Sequence, residues 1–231
     1  MLLNIKFEYP EVEQVTLPEG FRYYVCPETA RRMASVTTIL DATGDKTGLL
    51  EWKARVGPVR AKQESEYATS IGSLMHEHVE AVIEGRDRPS AKTPPRILAS
   101  KMADQIIQHG LCHVSEVWGV ETRLYVPGLY AGTSDLIGVY KGQPAIMDHK
   151  SSKKIKKKAD IVDYRDQMSA YVIAMNEKYG TEIKTAVIFM ATRDEKFTAI
   201  EFDVDDVHAG KASFLDRFET FMKDPPSILG E

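Results

Sequence analysis

Three residues set out the chemistry open to this chain: Asp135, Asp148 and Lys150. They lie in the stretch LYAGTSDLIGVYKGQPAIMDHKSS, where two strand-like runs flank Lys141-Gly142. If that dipeptide is a two-residue hairpin turn, Tyr140 pairs with Gln143, and the same register carried outward sets Asp135 opposite Asp148. Side chains directly opposite each other in an antiparallel pair lie about 5 Å apart on one face, so two carboxylates there repel unless positive charge sits between them. The two-residue period of a strand puts Lys150 on the face of Asp148, with its ammonium beside the pair. Two acids and an amine in that arrangement suit a metal ion and a phosphate.

Several elements must hold these groups. Before the hairpin, SEVWGVETRLYV alternates between Val117, Gly119, Glu121, Arg123, Tyr125 and the more apolar Trp118, Val120, Thr122, Leu124, Val126. The second set is expected to face the core, which leaves Glu121 either in solvent or as an accessory acid near the site. The run from Ser115 to Lys150 then makes a three-stranded meander. A helix is expected over Asp160–Tyr179, with Tyr164, Met168, Tyr171, Val172, Met175 and Tyr179 at helical spacing. Strands TAVIFMAT and KFTAIEFD follow around Arg193-Asp194-Glu195, and Val204–Met222 reads as a final amphipathic helix. Upstream, NIKFEY and FRYYVC suggest a small hairpin with a turn near Leu17-Pro18-Glu19-Gly20. Helices are expected after a cap at Ser35 or Thr37, over Leu49–Val56, over Tyr67–Glu84 and over Pro95–Gly110. The whole reads as one α/β domain, 1–231, with a hairpin and helical region at 1–110 and an αβ core at 111–231.

Other residues carry two readings each. Trp52 is a core anchor or a base-stacking platform. His76 is four residues from both Gly72 and Glu80, but a lone helical histidine is more often structural than a ligand. His76-Glu77-His78-Val79-Glu80 fails as a zinc-protease motif, since its fifth position is Glu instead of His. On spacing alone, Tyr171 is a core residue and Gln167, one turn earlier, is exposed. Lys153 to Lys158 holds five lysines in six positions, either a solvated loop or, beside a metal-carboxylate site, a phosphate-contacting segment that includes Lys156 and Lys157.

Composition narrows the classes. With 43% hydrophobic and 28% charged residues, the chain is that of an ordinary soluble globular protein, without an apolar run of membrane-spanning length. A net charge of −4 argues against a generally basic nucleic-acid binder, so any such role rests on local charge. Two cysteines, Cys26 and Cys112, exclude a disulfide framework, a zinc site or a four-cysteine iron–sulfur cluster. The start, MLLNIKFEYPEVEQ, lacks signal-peptide and transit-peptide character. A cytoplasmic location, in a bacterium or a phage-infected cell, is therefore expected, with a mitochondrial one only if a presequence had been removed.

Ser134-Asp135 followed by Asp148-His149-Lys150 resembles the signature of the PD-(D/E)xK nuclease superfamily, with Ser in place of Pro. Gly72 with His76 upstream and Gln167-Met168-Ser169-Ala170-Tyr171 downstream resemble its RecB-like exonuclease branch. The segment ASVTTILDATGDKTGLLEWKARVG is similar to the mitochondrial genome maintenance exonuclease and to phage exonucleases of that type, and the likeness covers roughly Ala34 to Tyr179. The resemblance implies a restriction-endonuclease-like core, a central mixed sheet flanked by helices, with an N-terminal helical elaboration arching over the site. It implies Mg²⁺ or Mn²⁺ held by His76, Asp135, Asp148 and the backbone carbonyl of His149, whose side chain points to the other face. Lys150 would hold the attacking water, with its pKa lowered by the ion. Gln167 would reach substrate phosphate or the water network with Tyr171 packed beneath, and the Ser151 and Ser152 hydroxyls would approach DNA phosphate.

The function so implied is a metal-dependent DNA exonuclease acting on single strands from a free end, in replication, recombination or repair, with a recombination or replication protein as a possible partner. A flap or structure-specific endonuclease is one alternative. A non-catalytic nucleic-acid-binding module is another, disfavoured because Asp135, Asp148 and Lys150 are all present. The lysine run disfavours a hydrolase of small phosphate esters.

Overall fold

The computed structural model describes residues 2–18 and 20–229, so Glu19 of the expected first turn lies outside the described residues. Among the described residues, nine strands form one mixed sheet: β1 (Leu2–Leu3), β2 (Glu13–Thr16), β3 (Arg22–Val25), β4 (Arg32–Ser35), β5 (Val114–Val126), β6 (Tyr130–Tyr140), β7 (Gln143–Ser152), β8 (Thr185–Thr192) and β9 (Phe197–Phe202). Six α-helices accompany them in the described residues: α1 (Val36–Thr43), α2 (Thr47–Val56), α3 (Pro58–Ile83), α4 (Pro94–His109), α5 (Val162–Tyr179) and α6 (Val204–Phe221). From β5 onward the expected order of elements holds. None of the helices is long and apolar enough to cross a membrane, among the described residues.

The hairpin forms as the sequence requires. Lys141 and Gly142 both take positive φ, 47° and 79°, as the two central residues of a tight turn between twisted strands must. Tyr140 pairs with Gln143, and the register runs from there to Leu136 opposite Met147. The ladder ends one step short of Asp135 and Asp148. Farther along, Tyr130 and Ala131 of β6 pair with Ala34 and Ser35 of β4 instead. Since β5 pairs along β6 from Tyr140 to Tyr130, β4 and β7 share the opposite edge, and the sheet forks between them at residues 132–135.

Helices cover both faces. On one, α1, α5 and α6 pack Ile39, Met168, Val172 and Phe214 against Ile137, Ile146 and Ile188. On the other, α3 and α4 pack Ile71, Met75, Met102 and Ile106 against Leu136, Met147 and Phe189. This corrects the expectation of one buried face on β5: Val117 and Tyr125 are buried along with Trp118 and Leu124. Bulges between Val114 and Glu116 and between Val117 and Gly119 also break the simple alternation.

Two further expectations change. NIKFEY is not a strand; Phe7 and Tyr9 instead pack their rings on Trp118 and Tyr179. FRYYVC does pair, but its hairpin with β2 joins the main sheet through β4. α3 starts nine residues before Tyr67, at Pro58, a residue well suited to a first helical position. Ser35 is the cap of α1, accepting from the Thr38 N–H at 2.9 Å.

Candidate active site

Where the sheet forks, two backbone groups of His149 lose their ladder partners and side chains take them up. The His149 N–H donates to Asp135 Oδ2 at 2.8 Å, and the His149 carbonyl accepts from His76 Nε2 at 2.7 Å. His76 comes from α3, which Gly72 lets lie close to β7: a Cβ added at Gly72 would meet Ser151 Oγ at 3.3 Å. The other nitrogen of His76, Nδ1, lies 3.5 Å from Asp135 Oδ2 and 3.8 Å from Glu121 Oε1. Ligand atoms of His76, Asp135 and the His149 ring all fall within 4.8 Å of one another, close enough to share one metal ion.

Asp148 and Lys150 share the face of β7 turned toward α5, as their spacing requires, and Lys150 Nζ is 2.7 Å from Asp148 Oδ2. Asp148 is 2% exposed, and among the described residues its only ion-pair partner is Lys150. The cluster of three made by His76, Asp135 and the His149 ring does not include it. The His149 side chain lies on the other face, stacked on Phe189 at 5.9 Å, yet its Nδ1 is 3.8 Å from Asp135 Oδ2. Sequence alternation placed that ring away from the site, whereas the splayed strands let it border the acid.

The charges are strongly coupled. Burial alone would lower the pKa of His76, but Asp135, then Glu121 and Asp148, raise it to about 9, so its imidazolium is a resident cation among the acids. Burial, with the positive His76 next to it, takes His149 down to about 3, so that ring is neutral. Burial and the neighbouring Asp135 push Asp148 upward, against the pull of Lys150. For Lys150 burial works downward, but Asp148 and Asp135 outweigh it, and the ammonium is held well above its usual range.

The donor set fits a hard divalent cation. A carboxylate, a backbone carbonyl and an imidazole converge where a proton on His76 now supplies the positive charge, and the buried Asp148 carboxylate stands beside them. A cleft of roughly 880 Å³ opens onto this cluster, bordered by Gly72, His76, Glu121, Lys150 and Ser151.

The remaining expected residues divide. Gln167 is 8% exposed, and its Nε2 donates to the Tyr171 hydroxyl at 3.2 Å. Tyr171 packs beneath, as the motif implied, with its ring filling the space left by Gly132. The Ser152 hydroxyl is committed to its own loop, donating to the Lys154 carbonyl at 2.7 Å, so it is not free for phosphate. Ser151 borders the cleft. In the lysine run, Lys153 is paired with Glu64 and Lys158 with Asp206, while among the described residues Lys154, Lys156 and Lys157 form no ion pair.

Two residues enter that the sequence did not assign, and a third changes its reading. Tyr164 stands between two lysines, with Lys150 Nζ 5.1 Å and Lys156 Nζ 5.2 Å from its ring centroid. Its place one turn before Gln167 on the same helix was the available signal. Arg193, read only as a turn residue, lines a second cleft with Lys154, Lys156, Ser151 and Trp52. Trp52 is a correction: α2 has no buried residue, and the tryptophan is half-buried at this basic cleft instead of anchoring the core.

No protein-family model and no curated protein matches the chain. Among solved structures, SSO0001 is similar with a TM-score of 0.43 and 12% identity, over 84% of this chain and 78% of that one. A candidate exonuclease from Eubacterium rectale is similar with a TM-score of 0.49 and 15% identity, over 71% of this chain and 68% of that one.

Proposed function

We propose that this chain is a metal-dependent deoxyribonuclease that hydrolyses phosphodiester bonds of single-stranded DNA from a free end. The observation that carries the reading is the meeting of His76, Asp135 and the His149 carbonyl beside the Asp148–Lys150 pair, next to a cleft lined by lysines and Arg193. The resemblance of these residues to a RecB-like nuclease signature agrees with it.

His76, Asp135, Asp148 and the His149 carbonyl would hold Mg²⁺ or Mn²⁺. Bound there, the ion supplies positive charge for the phosphate and lowers the pKa of water. The protein's own part begins with Lys150. Kept protonated by Asp148 and Asp135, it offsets the charge that grows on the phosphate, and it donates hydrogen bonds that place the attacking water. Asp148 fixes that ammonium and is too buried to be solvated away from it. Gln167, held by Tyr171 at 3.2 Å, would turn its other amide proton or its carbonyl toward substrate or the water network. Lys154, Lys156, Lys157 and Arg193 draw the polyanion to a protein whose net charge is −4. Trp52, on the same cleft, offers a face on which an unpaired base stacks.

The test is digestion of end-labelled linear, circular and flap DNAs, with Mg²⁺ or Mn²⁺ and with chelator. The expected result is shortening of linear single strands only when metal is present, with circles intact. Cleavage of circles would turn the reading to an endonuclease, and binding without cleavage to a non-catalytic module. Asp148→Asn and Lys150→Ala should each abolish cleavage while circular dichroism stays unchanged. Undiminished cleavage by either removes the assignment of the site.

A further inference from the structure

Glu121 lies in the middle of β5, between Val120 paired with Leu136 and Thr122 paired with Ser134, and therefore opposite Asp135. It has φ +44°, a left-handed conformation that side-chain-bearing residues seldom take and that the flanking pairs hold in place. The effect is to carry a half-exposed carboxylate to 3.8 Å from His76 Nδ1.

An imidazole binds a metal through one unprotonated nitrogen, and its other nitrogen then carries the hydrogen and needs an acceptor. Both nitrogens of His76 have a ligand atom nearby, but Nε2 is the nearer to one, 2.7 Å from the His149 carbonyl against 3.5 Å from Nδ1 to Asp135 Oδ2. Nδ1 is thus the nitrogen that must keep its hydrogen. Two acceptors are near it. Asp135 Oδ2, at 3.5 Å, already accepts the His149 N–H and belongs to the ligand set, which leaves Glu121. We propose that Glu121 is the positioning residue of this centre: it accepts the Nδ1 hydrogen, fixes the His76 tautomer and so aims Nε2 at the cation. This rests on the metal-centre reading above and names the residue that reading lacks.

The test is Mn²⁺ binding to the DNA-free protein by isothermal titration calorimetry, with thermal melting in chelator alongside. Glu121→Ala and Glu121→Gly should weaken Mn²⁺ binding by about 10- to 100-fold, the range seen when the outer partner of a ligating histidine is lost. Glu121→Gln, which keeps a carbonyl acceptor, should restore most of that affinity. Glu121→Gly should melt no lower than the wild type in chelator, because glycine takes a positive φ without strain. Separating metal affinity from folding in this way excludes a purely structural role. Equal Mn²⁺ affinity in Glu121→Ala and wild type, or a loss in Glu121→Gln as large as in Glu121→Ala, overturns the proposal and leaves the metal centre standing. A wild type that takes up no Mn²⁺ overturns the metal-centre reading itself.

Discussion

Gly132 is where the fit between the forked strand and the helix above it can be measured. A Cβ placed there would lie 2.6 Å from Tyr171 Cε1 and 2.8 Å from its hydroxyl, against 3.4–4 Å for ordinary contact. The ring would have to retreat by about 1 Å, but Tyr171 is 2% exposed and bound to Gln167, in an interior without room to spare. Forcing one extra methyl into such a place costs about 1–3 kcal/mol. In a domain of this size each kcal/mol lowers the melting temperature by roughly 2–4 °C, so Gly132→Ala should melt about 2–12 °C below the wild type. Tyr171→Ala alone should cost about 3–5 kcal/mol, as large aromatic truncations do. With the ring gone the new methyl enters the vacated space, so Gly132→Ala added to Tyr171→Ala should cost nothing further. Urea unfolding of the four proteins gives the coupling, expected at about 1 kcal/mol or more. Additivity within about 0.5 kcal/mol would refute the packing argument.

Replacing Lys154, Lys156 and Lys157 together with Ser should weaken binding of a labelled single strand in chelator and lower the slope of log affinity against log salt by about 2, at roughly 0.7 per phosphate contact. Lys158 is left in place because Asp206 already holds it; an unchanged slope counts against the basic cleft. Tyr130 is buried and donates to the Ala170 carbonyl at 3.1 Å, and burial raises its phenol far above the usual 10. The folded protein then keeps a proton that the unfolded chain releases above pH about 10, so stability is complete below that pH and falls as pH rises past it. Tyr130→Phe, which keeps the ring against Phe214, should show a shallower loss of melting temperature between pH 9 and 11, and parallel curves would dismiss the effect.

The hairpin was readable because everything that fixes it is local. Lys141-Gly142 sets the turn, the turn sets the register, and a two-residue period then places Asp148 and Lys150 together. The same arithmetic stopped being true at Asp135, because what ends the ladder is β4, a strand about a hundred residues away with no local mark of where it would dock. Glu121 stayed undecided for a related reason: its reach depends on a positive φ just beyond two bulges, which alternation does not reveal. Trp52 carried two readings, and its residue type favoured a core anchor over a stacking platform, the usual fate of a large aromatic. Its surroundings decide otherwise, since the helix that carries it packs no buried face.

The fork also explains why charge collects at this spot. A buried backbone N–H and C=O with no strand partner must be paired some other way, since leaving either unpaired costs about 1–3 kcal/mol. The N–H of His149 calls for an acceptor and receives the carboxylate of Asp135. Its carbonyl calls for a donor and receives His76, whose second nitrogen then faces the acids. A carboxylate is thereby brought within reach of its neighbour Asp148, and that repulsion is tolerable only with cations present: Lys150 on one side and the His76 proton on the other. Of these two, Lys150 is tied to Asp148, whereas the His76 proton is exchangeable. A divalent ion that took its place would find the carbonyl, the carboxylate and the imidazole already gathered, because the backbone's need for partners at the fork brings these groups together.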